Sequence, residues 1–413
     1  MSRAAAPVVS LALVLGCVTA TMVVGTALKA PCAGGNWSDL RQYHDLCYSD
    51  IVPLFNTEQL ASGGGRGTRL PYIDPCKVVA DQNCDEYPVL TMYFMRVAAW
   101  LSGPYYAAFY FVNAALLLAC ALVVGLCLYL LVGRRALYFA LAPTLLIYGT
   151  VNWDLLAVAF ATAATFYLLR HRDALSGSML GLGAAAKLYP VLLAVPFVAH
   201  RLRERRPDEA ITLGWSTIAA FIVVNAPFIV FGFTDWRRFF VFNATRVADF
   251  DSLWYIGCRH VHALCRSVHT INLLSLGLFV GATALVWWAR GRRAPDFPRW
   301  TLGFPILVLF LITNKVYSPQ YGLWLLPWFA LALPGLRRFV AFEIADVVVF
   351  VTRFWWFSRL AGSWGPPEGV FEIAVLVRAA VLLWCVVAWV RGDPGTAPRT
   401  EPERPEVPEG LPA

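Results

Sequence analysis

The sequence predicts an all-α polytopic membrane protein, a bundle of about twelve transmembrane or half-membrane helices with two large outer loops. Three observations predict it. Of 413 residues, 59% are hydrophobic and 15% charged, whereas a soluble chain carries about a quarter charged residues. The apolar residues fall into runs suited to a hydrocarbon core of about 30 Å. Basic clusters punctuate those runs at Arg134-Arg135, Arg170-His171-Arg172, Arg201 to Arg206, Arg290 to Arg293, Arg337-Arg338 and Arg391. The positive-inside rule places such clusters at cytoplasmic turns. They account for the net charge of +8, so no nucleic-acid partner is called for.

Taken in order, residues 7–30 resemble a signal peptide. Their apolar core is too long and ends in no clear small-x-small site, so an uncleaved first span is expected. Residues 104–132 form the next span. Residues 136–170 are too long for one crossing and are broken at Asn152-Trp153-Asp154, which reads as two short helices joined at an outer turn. Residues 176–200 would strand the Arg201–Arg206 cluster outside if they crossed once. A hairpin of two half-length helices turning at "AAKLYP" obeys the charge rule. Each arm reaches roughly 20 Å at about 1.5 Å per residue, short of the hydrocarbon core, so the hairpin must be held inside protein.

Further spans read as 210–231, 271–289, 300–313, 319–333, 339–357 and 370–390, with both termini cytoplasmic. Trp324, Trp328, Trp355 and Trp356 read as a membrane belt. Residues 1–392 thus make one membrane domain with outer loops at about 31–103 and 232–270. The apolar stretch after Pro88 suits a helix lying in the interface. The Pro- and Glu-rich tail, 393–413, has little to bury and is expected to be a disordered cytoplasmic extension.

The ten cysteines divide into two sets. Cys17, Cys120, Cys127 and Cys385 sit in apolar runs as packing residues. Cys32, Cys47, Cys76, Cys84, Cys258 and Cys265 lie in the outer loops, where an oxidising compartment favours disulfides among fifteen possible connectivities. No Cys-x-x-Cys or His-x-x-x-His spacing points to zinc.

Polar residues collect on the outer side. Asp50 is the one carboxylate of "CYSDIVPLF", and Glu86, Asp154, Asp249, Asp251 and Lys315 fall on the same side of the membrane. Glu86, close before Pro88, also reads as a helix stop, and Lys315 as an interfacial anchor. Lys187 lies mid-hairpin. An ammonium there costs a few kcal/mol, so it must pair with a carboxylate, with carbonyls or with a phosphate, unless it snorkels.

Four stretches, "EYPVLT" (86–91), "YGTVNWDLLAVAFA" (148–161), "AAAKLYPVLLAVPF" (184–197) and "NKVYSPQYGLWLLPW" (314–328), together resemble the family 87 glycosyltransferases. These belong to the GT-C superfamily and include actinobacterial polyprenyl-phosphate-mannose-dependent α-mannosyltransferases. The resemblance runs from about Cys47 to Leu333. It implies a plasma-membrane enzyme with an extracytoplasmic active site, a polyprenyl-phosphate-sugar donor and a lipid or cell-envelope glycan acceptor. It also implies an essential aspartate in the first outer loop, which here is Asp50. The glycine-rich loop after Asp50 and the six outer cysteines depart from the family pattern.

The chemistry follows independently of the family. Outside the cytoplasm no nucleotide-sugar pool exists, so a donor arrives on a lipid carrier. A carboxylate must take the proton of the attacking hydroxyl, a role assigned to Asp50. Cations must stabilise the departing phosphate, a role assigned to Lys187 and Lys315 with Gln320 and Tyr321 as neutral partners. Glu86, Tyr87, Asn152, Asp154, Tyr189, Asp249 and Asp251 are candidate substrate contacts. One displacement inverts the anomeric centre. No cofactor is required where lysines hold the phosphate, although the paired Asp249 and Asp251 leave a metal open. The rival class is a lipid-linked-sugar flippase or transporter, which also uses broken helices and intramembrane charge.

Overall fold

The computed structural model describes residues 10–61, 69–76, 84–261, 265, 267–333 and 335–392. The "GGGRG" stretch, Asp81, residues 7–9 of the first span and the tail from 393 lie outside the described residues. All regular structure among the described residues is helical.

Among the described residues, five helices are long and apolar enough to cross a membrane. They are α1 (Leu11–Lys29), α5 (Tyr106–Val132), α11 (Pro207–Phe231), α15 (Val268–Arg293) and α19 (Glu368–Arg391). The outer segment between α1 and α5 holds α2 (Arg41–His44), α3 (Ile51–Thr57) and α4 (Val89–Ser102), the last on the apolar stretch expected at the interface.

Broken helices fill the interior. The stretch read as two short helices becomes α6 (Leu137–Ala140), α7 (Pro143–Tyr148) and, after the Asn152-Trp153-Asp154 turn, α8 (Asp154–Leu169). The hairpin is α9 (Asp173–Ala186), a 3₁₀ turn over Tyr189–Leu193, and α10 (Ala194–Arg203). Its two ends meet, because Arg201 Nε donates to Asp173 Oδ1 at 2.6 Å. The chain therefore returns to the side it left. Protein rather than lipid holds the hairpin, and glycines explain how. A Cβ on Gly177 would lie 2.2 Å from the Leu213 carbonyl oxygen, and one on Gly181 would lie 2.3 Å from that of Thr217. This small-xxx-small stripe lets α9 lie backbone to backbone on α11.

After α11 come α12 (Phe233–Trp236), α13 (Arg238–Thr245) and α14 (Leu253–His260), all within the second outer loop. Beyond α15, a further broken pair comprises α16 (Gly303–Thr313), a 3₁₀ turn over Pro319–Trp324, and α17 (Leu326–Leu331). Then α18 (Leu336–Leu360) precedes α19. The sequence reads 339–357 as an ordinary span, but α18 carries buried charge. Asp346 Oδ1 accepts from Arg378 of α19 at 3.2 Å, and the Thr144 backbone N–H donates to Glu343 Oε2 at 2.8 Å. The belt expectation is corrected as well: Trp324, Trp328 and Trp356 are 2 to 3% exposed.

Basic clusters share one end of the bundle. Arg170 donates to the Leu130 carbonyl at 3.3 Å, Arg203 pairs with Asp296, and Arg290 donates to the Val390 carbonyl at 3.3 Å. The opposite helix ends, at the start of α8 and the end of α9, hold the site. Three disulfides pair near neighbours: Cys32–Cys47, Cys76–Cys84 and Cys258–Cys265. The four membrane cysteines are free.

Candidate active site

Asp50 sits just before α3, and its neighbours fix it to the 150–152 turn. Ser49 Oγ donates to the Thr150 carbonyl at 2.7 Å, and the Asp50 backbone N–H donates to the Val151 carbonyl at 2.8 Å. Asn152 Nδ2 then reaches Asp50 Oδ2 at 2.8 Å and the Tyr87 hydroxyl at 2.7 Å. The direction of that amide is set from the other side, since Asn152 Oδ1 accepts from the Trp153 backbone N–H at 2.7 Å. Burial pushes the Asp50 carboxyl above its usual range. Hydrogen bonds from Asn152 and Tyr48 and the charges of Arg353 and Lys187 limit the rise.

Lys187 occupies the hairpin tip, where α9 ends in an extended residue. Its ammonium lies 2.8 Å from Asp154 Oδ1 and 2.9 Å from Oδ2. Trp324 Nε1 donates to the same Oδ1 at 2.7 Å. Tyr189 and Tyr321 stack on Trp324 with ring centroids 4.0 and 4.1 Å apart, and the ammonium lies 4.7 Å from the Tyr321 ring centroid. Of the partners the sequence allows Lys187, the carboxylate is realised. Asp154 acts from behind as its counter-charge, and Tyr189 as the stacking partner of Trp324.

The second outer loop and the 314–321 turn close the site. Asp249 Oδ2 accepts from Ser318 Oγ at 3.0 Å and lies 3.9 Å from Arg246. Asp251 is buried against Arg353 Nη1 at 2.8 Å. The paired aspartates thus face arginines. Lys315 departs from its expected place: its ammonium donates to the Ala244 carbonyl at 3.1 Å, tying α13 to the turn, and it does not line the cavity.

These elements enclose a cavity of about 370 Å³, within the range of small-ligand sites. Asp50, Glu86 and Asp249 line it together with Lys187, Arg246 and Arg353, and so do Tyr87, Asn152, Gln320 and Tyr321. Asp50 and Lys187 therefore open on one void. Asp154, Tyr189, Asp251 and Lys315 lie outside its wall. Sequence reasoning missed Arg246 and Arg353. A guanidinium inside the apolar run "VVVFVTRFWWF" carries the same signal that exposed Lys187.

Comparison with known proteins gives one firm result. Glycosyltransferase family 87 matches residues 86–314. No curated protein matches. Among solved structures, the chain is similar to ArnT from Cupriavidus metallidurans bound to undecaprenyl phosphate, at 15% identity and a TM-score of 0.43, covering 93% of this chain and 77% of that one. It is also similar to the apo oligosaccharyltransferase of Archaeoglobus fulgidus, at 11% identity and a TM-score of 0.42, covering 91% of this chain and 56% of that one. The chain thus spans little more than half of the second enzyme. The matched family span covers more than half of the chain and carries the broken stretch α6–α8, the hairpin with its lysine and the second outer loop; the protein belongs to glycosyltransferase family 87.

Proposed function

We propose that the protein transfers a hexose, mannose in the family-level reading, from a polyprenyl-phosphate donor to a lipid or cell-envelope glycan acceptor. The reaction takes place at the extracytoplasmic face of a bacterial plasma membrane and inverts the anomeric centre. The observation that carries the reading is the shared cavity of Asp50 and Lys187. The bound lipid of the ArnT structure is consistent with a polyprenyl-phosphate donor.

In the step, an acceptor hydroxyl oxygen attacks the anomeric carbon and the bond from that carbon to the phosphate oxygen breaks. Asp50 takes the hydroxyl proton. The phosphodiester monoanion leaves as a polyprenyl monophosphate carrying one further negative charge. That charge develops beside cations, where preorganised electrostatics act most strongly. Lys187 is already matched by Asp154, so it supplies a held dipole more than a free cation. Arg246 meets Asp249 only at 3.9 Å and has charge to offer the phosphate. Gln320 and Tyr321 line the same cavity and serve as neutral donors. Lys315, bonded elsewhere, is replaced in this role by Arg246.

The test is purified enzyme in lipid nanodiscs supplied with polyprenyl-phosphate-mannose, paired with envelope glycan profiling of a deletion strain. Donor consumption with a missing sugar branch in the strain is the expected result. An intact glycan profile with a stranded lipid-linked sugar would instead make the protein a flippase.

A further inference from the structure

One stretch of the cavity wall has no part in the chemistry above. Tyr43 of α2, Tyr48 just before Asp50, and Phe350, Phe354 and Phe357 of α18 all line it. They form one contiguous aromatic surface. Tyr43 stacks on Phe354 with centroids 6.3 Å apart and meets Phe357 edge-on at 5.8 Å. Tyr48 lies 5.0 Å from Phe354, which lies 4.8 Å from Phe350. An interfacial belt explains rings that face lipid, whereas these face a cavity that also holds three carboxylates and three cations.

The surface is built to stay in place. Cys47, next to Tyr48, is bonded to Cys32 at the end of the first span. The Lys29 ammonium donates to the Tyr48 carbonyl at 3.0 Å and lies 5.0 Å from the Phe350 ring centroid. Trp37 supports Tyr48 at 5.6 Å. Tyr48 stands two residues before Asp50 and lines the same cavity wall, so the aromatic surface borders the base. The cations assigned to the phosphate, Lys187 and Arg246, come from α9 and the second outer loop, whereas Arg353 of α18 is matched by Asp251 at 2.8 Å.

A pyranose ring matches both halves of this arrangement. Its C–H faces carry partial positive charge and lie well on aromatic faces, whose quadrupole is negative. Its rim of hydroxyls then points at whatever borders the rings, which here is Asp50. We propose that the Tyr43–Tyr48–Phe354 surface is the acceptor subsite, taking a sugar ring of the acceptor and presenting one of its hydroxyls to Asp50. This rests on the glycosyltransferase reading above. The surface lies wholly outside residues 86–314, as Asp50 does, so the acceptor is selected by parts of the chain beyond the matched family span.

The experiment uses full-length enzyme in nanodiscs with polyprenyl-phosphate-mannose as donor and octyl α-mannoside and octyl β-glucoside as acceptor probes. Phe354→Leu keeps the bulk but removes the aromatic face, and Tyr43→Ala opens the rim. Each is expected to raise the acceptor KM about tenfold, to leave the donor KM within twofold, and to retain slow hydrolysis of the donor by water. Tyr48→Phe keeps the ring, so the acceptor KM holds while the pH dependence of turnover shifts. Retained donor hydrolysis and donor KM show that the variants are folded. An unchanged acceptor KM, or a donor KM that rises in step, overturns the subsite and gives the surface to the donor or to structure. Wild-type enzyme that uses the donor but neither octyl glycoside overturns the sugar-ring acceptor alone. Wild-type enzyme that consumes no donor overturns the functional reading beneath it.

Discussion

The Asn152 amide donates to the Asp50 carboxylate at 2.8 Å while its own oxygen is held by the Trp153 backbone N–H. One turn between two half-helices thereby aims a carboxylate in a loop about a hundred residues away in sequence. Catalytic groups in loops gain precision from such rigid partners.

If Asp50 is the base, Asp50→Asn loses about 10²–10⁴ in kcat, the usual worth of general-base catalysis. The donor KM stays near wild type because the substitution is nearly isosteric. Steady-state kinetics with saturating acceptor measures this, and retained turnover would move the base to Glu86.

The pH dependence has a defined sign. Burial holds the Asp50 carboxyl above its ordinary value, which is about 3.9. Turnover requires the ionised form, so activity falls as pH drops through a value higher than that. Asn152→Ala removes a hydrogen bond that favours the carboxylate, moving this acid limb to still higher pH. A kcat–pH profile of the two proteins checks both statements; an identical limb in each would refute the role of Asn152.

Lys187 and Asp154 form a buried pair, with side chains 16% and 0% exposed. Breaking one side of such a pair costs about 3–5 kcal/mol, whereas removing both is far milder. Lys187→Met and Asp154→Asn are therefore each expected to lower the melting temperature, with the double variant closer to wild type. Additive losses in a double-mutant cycle would deny the coupling.

Arg246 and Lys315 should separate. Arg246→Gln is expected to raise the donor KM about tenfold, a loss of about 1.4 kcal/mol. Lys315→Met should leave donor KM alone and act through stability. Donor titrations at fixed acceptor distinguish them, and the reverse pattern would restore Lys315 to the phosphate.

The α9–α11 contact is the tightest test of the fold. Gly181→Val places new atoms where even a Cβ would meet the Thr217 carbonyl oxygen at 2.3 Å. Overpacking of this kind costs about 1–3 kcal/mol or more. Reduced thermal stability is expected; a neutral substitution would mean that the helices do not touch there.

Much of this architecture was legible because membranes make sequence rules strict. The Arg201–Arg206 cluster forbade a single crossing after Arg172, and the Arg201–Asp173 bond is the hairpin that the rule required. Lys187 stood out because an ammonium cannot sit alone in an apolar run. What stayed hidden depended on contacts between distant segments. Arg353 was masked by the aromatic residues around it, and nothing near Lys315 shows that its ammonium goes to a carbonyl of α13. Trp324, placed in a belt from its type alone, instead hydrogen-bonds the carboxylate that pairs with Lys187. The cystine pairing was equally invisible, since spacing alone does not choose among fifteen arrangements.

The Cys32–Cys47 link has a practical consequence. It staples the segment bearing Asp50 to the tip of the first helix, three residues from that carboxylate. Enzyme produced without oxidative maturation would carry Asp50 on a slack tether. A reductant unable to permeate bilayers, added to sealed cells or to inverted vesicles, thereby becomes a compass: whichever orientation loses turnover reveals toward which compartment the chemistry looks.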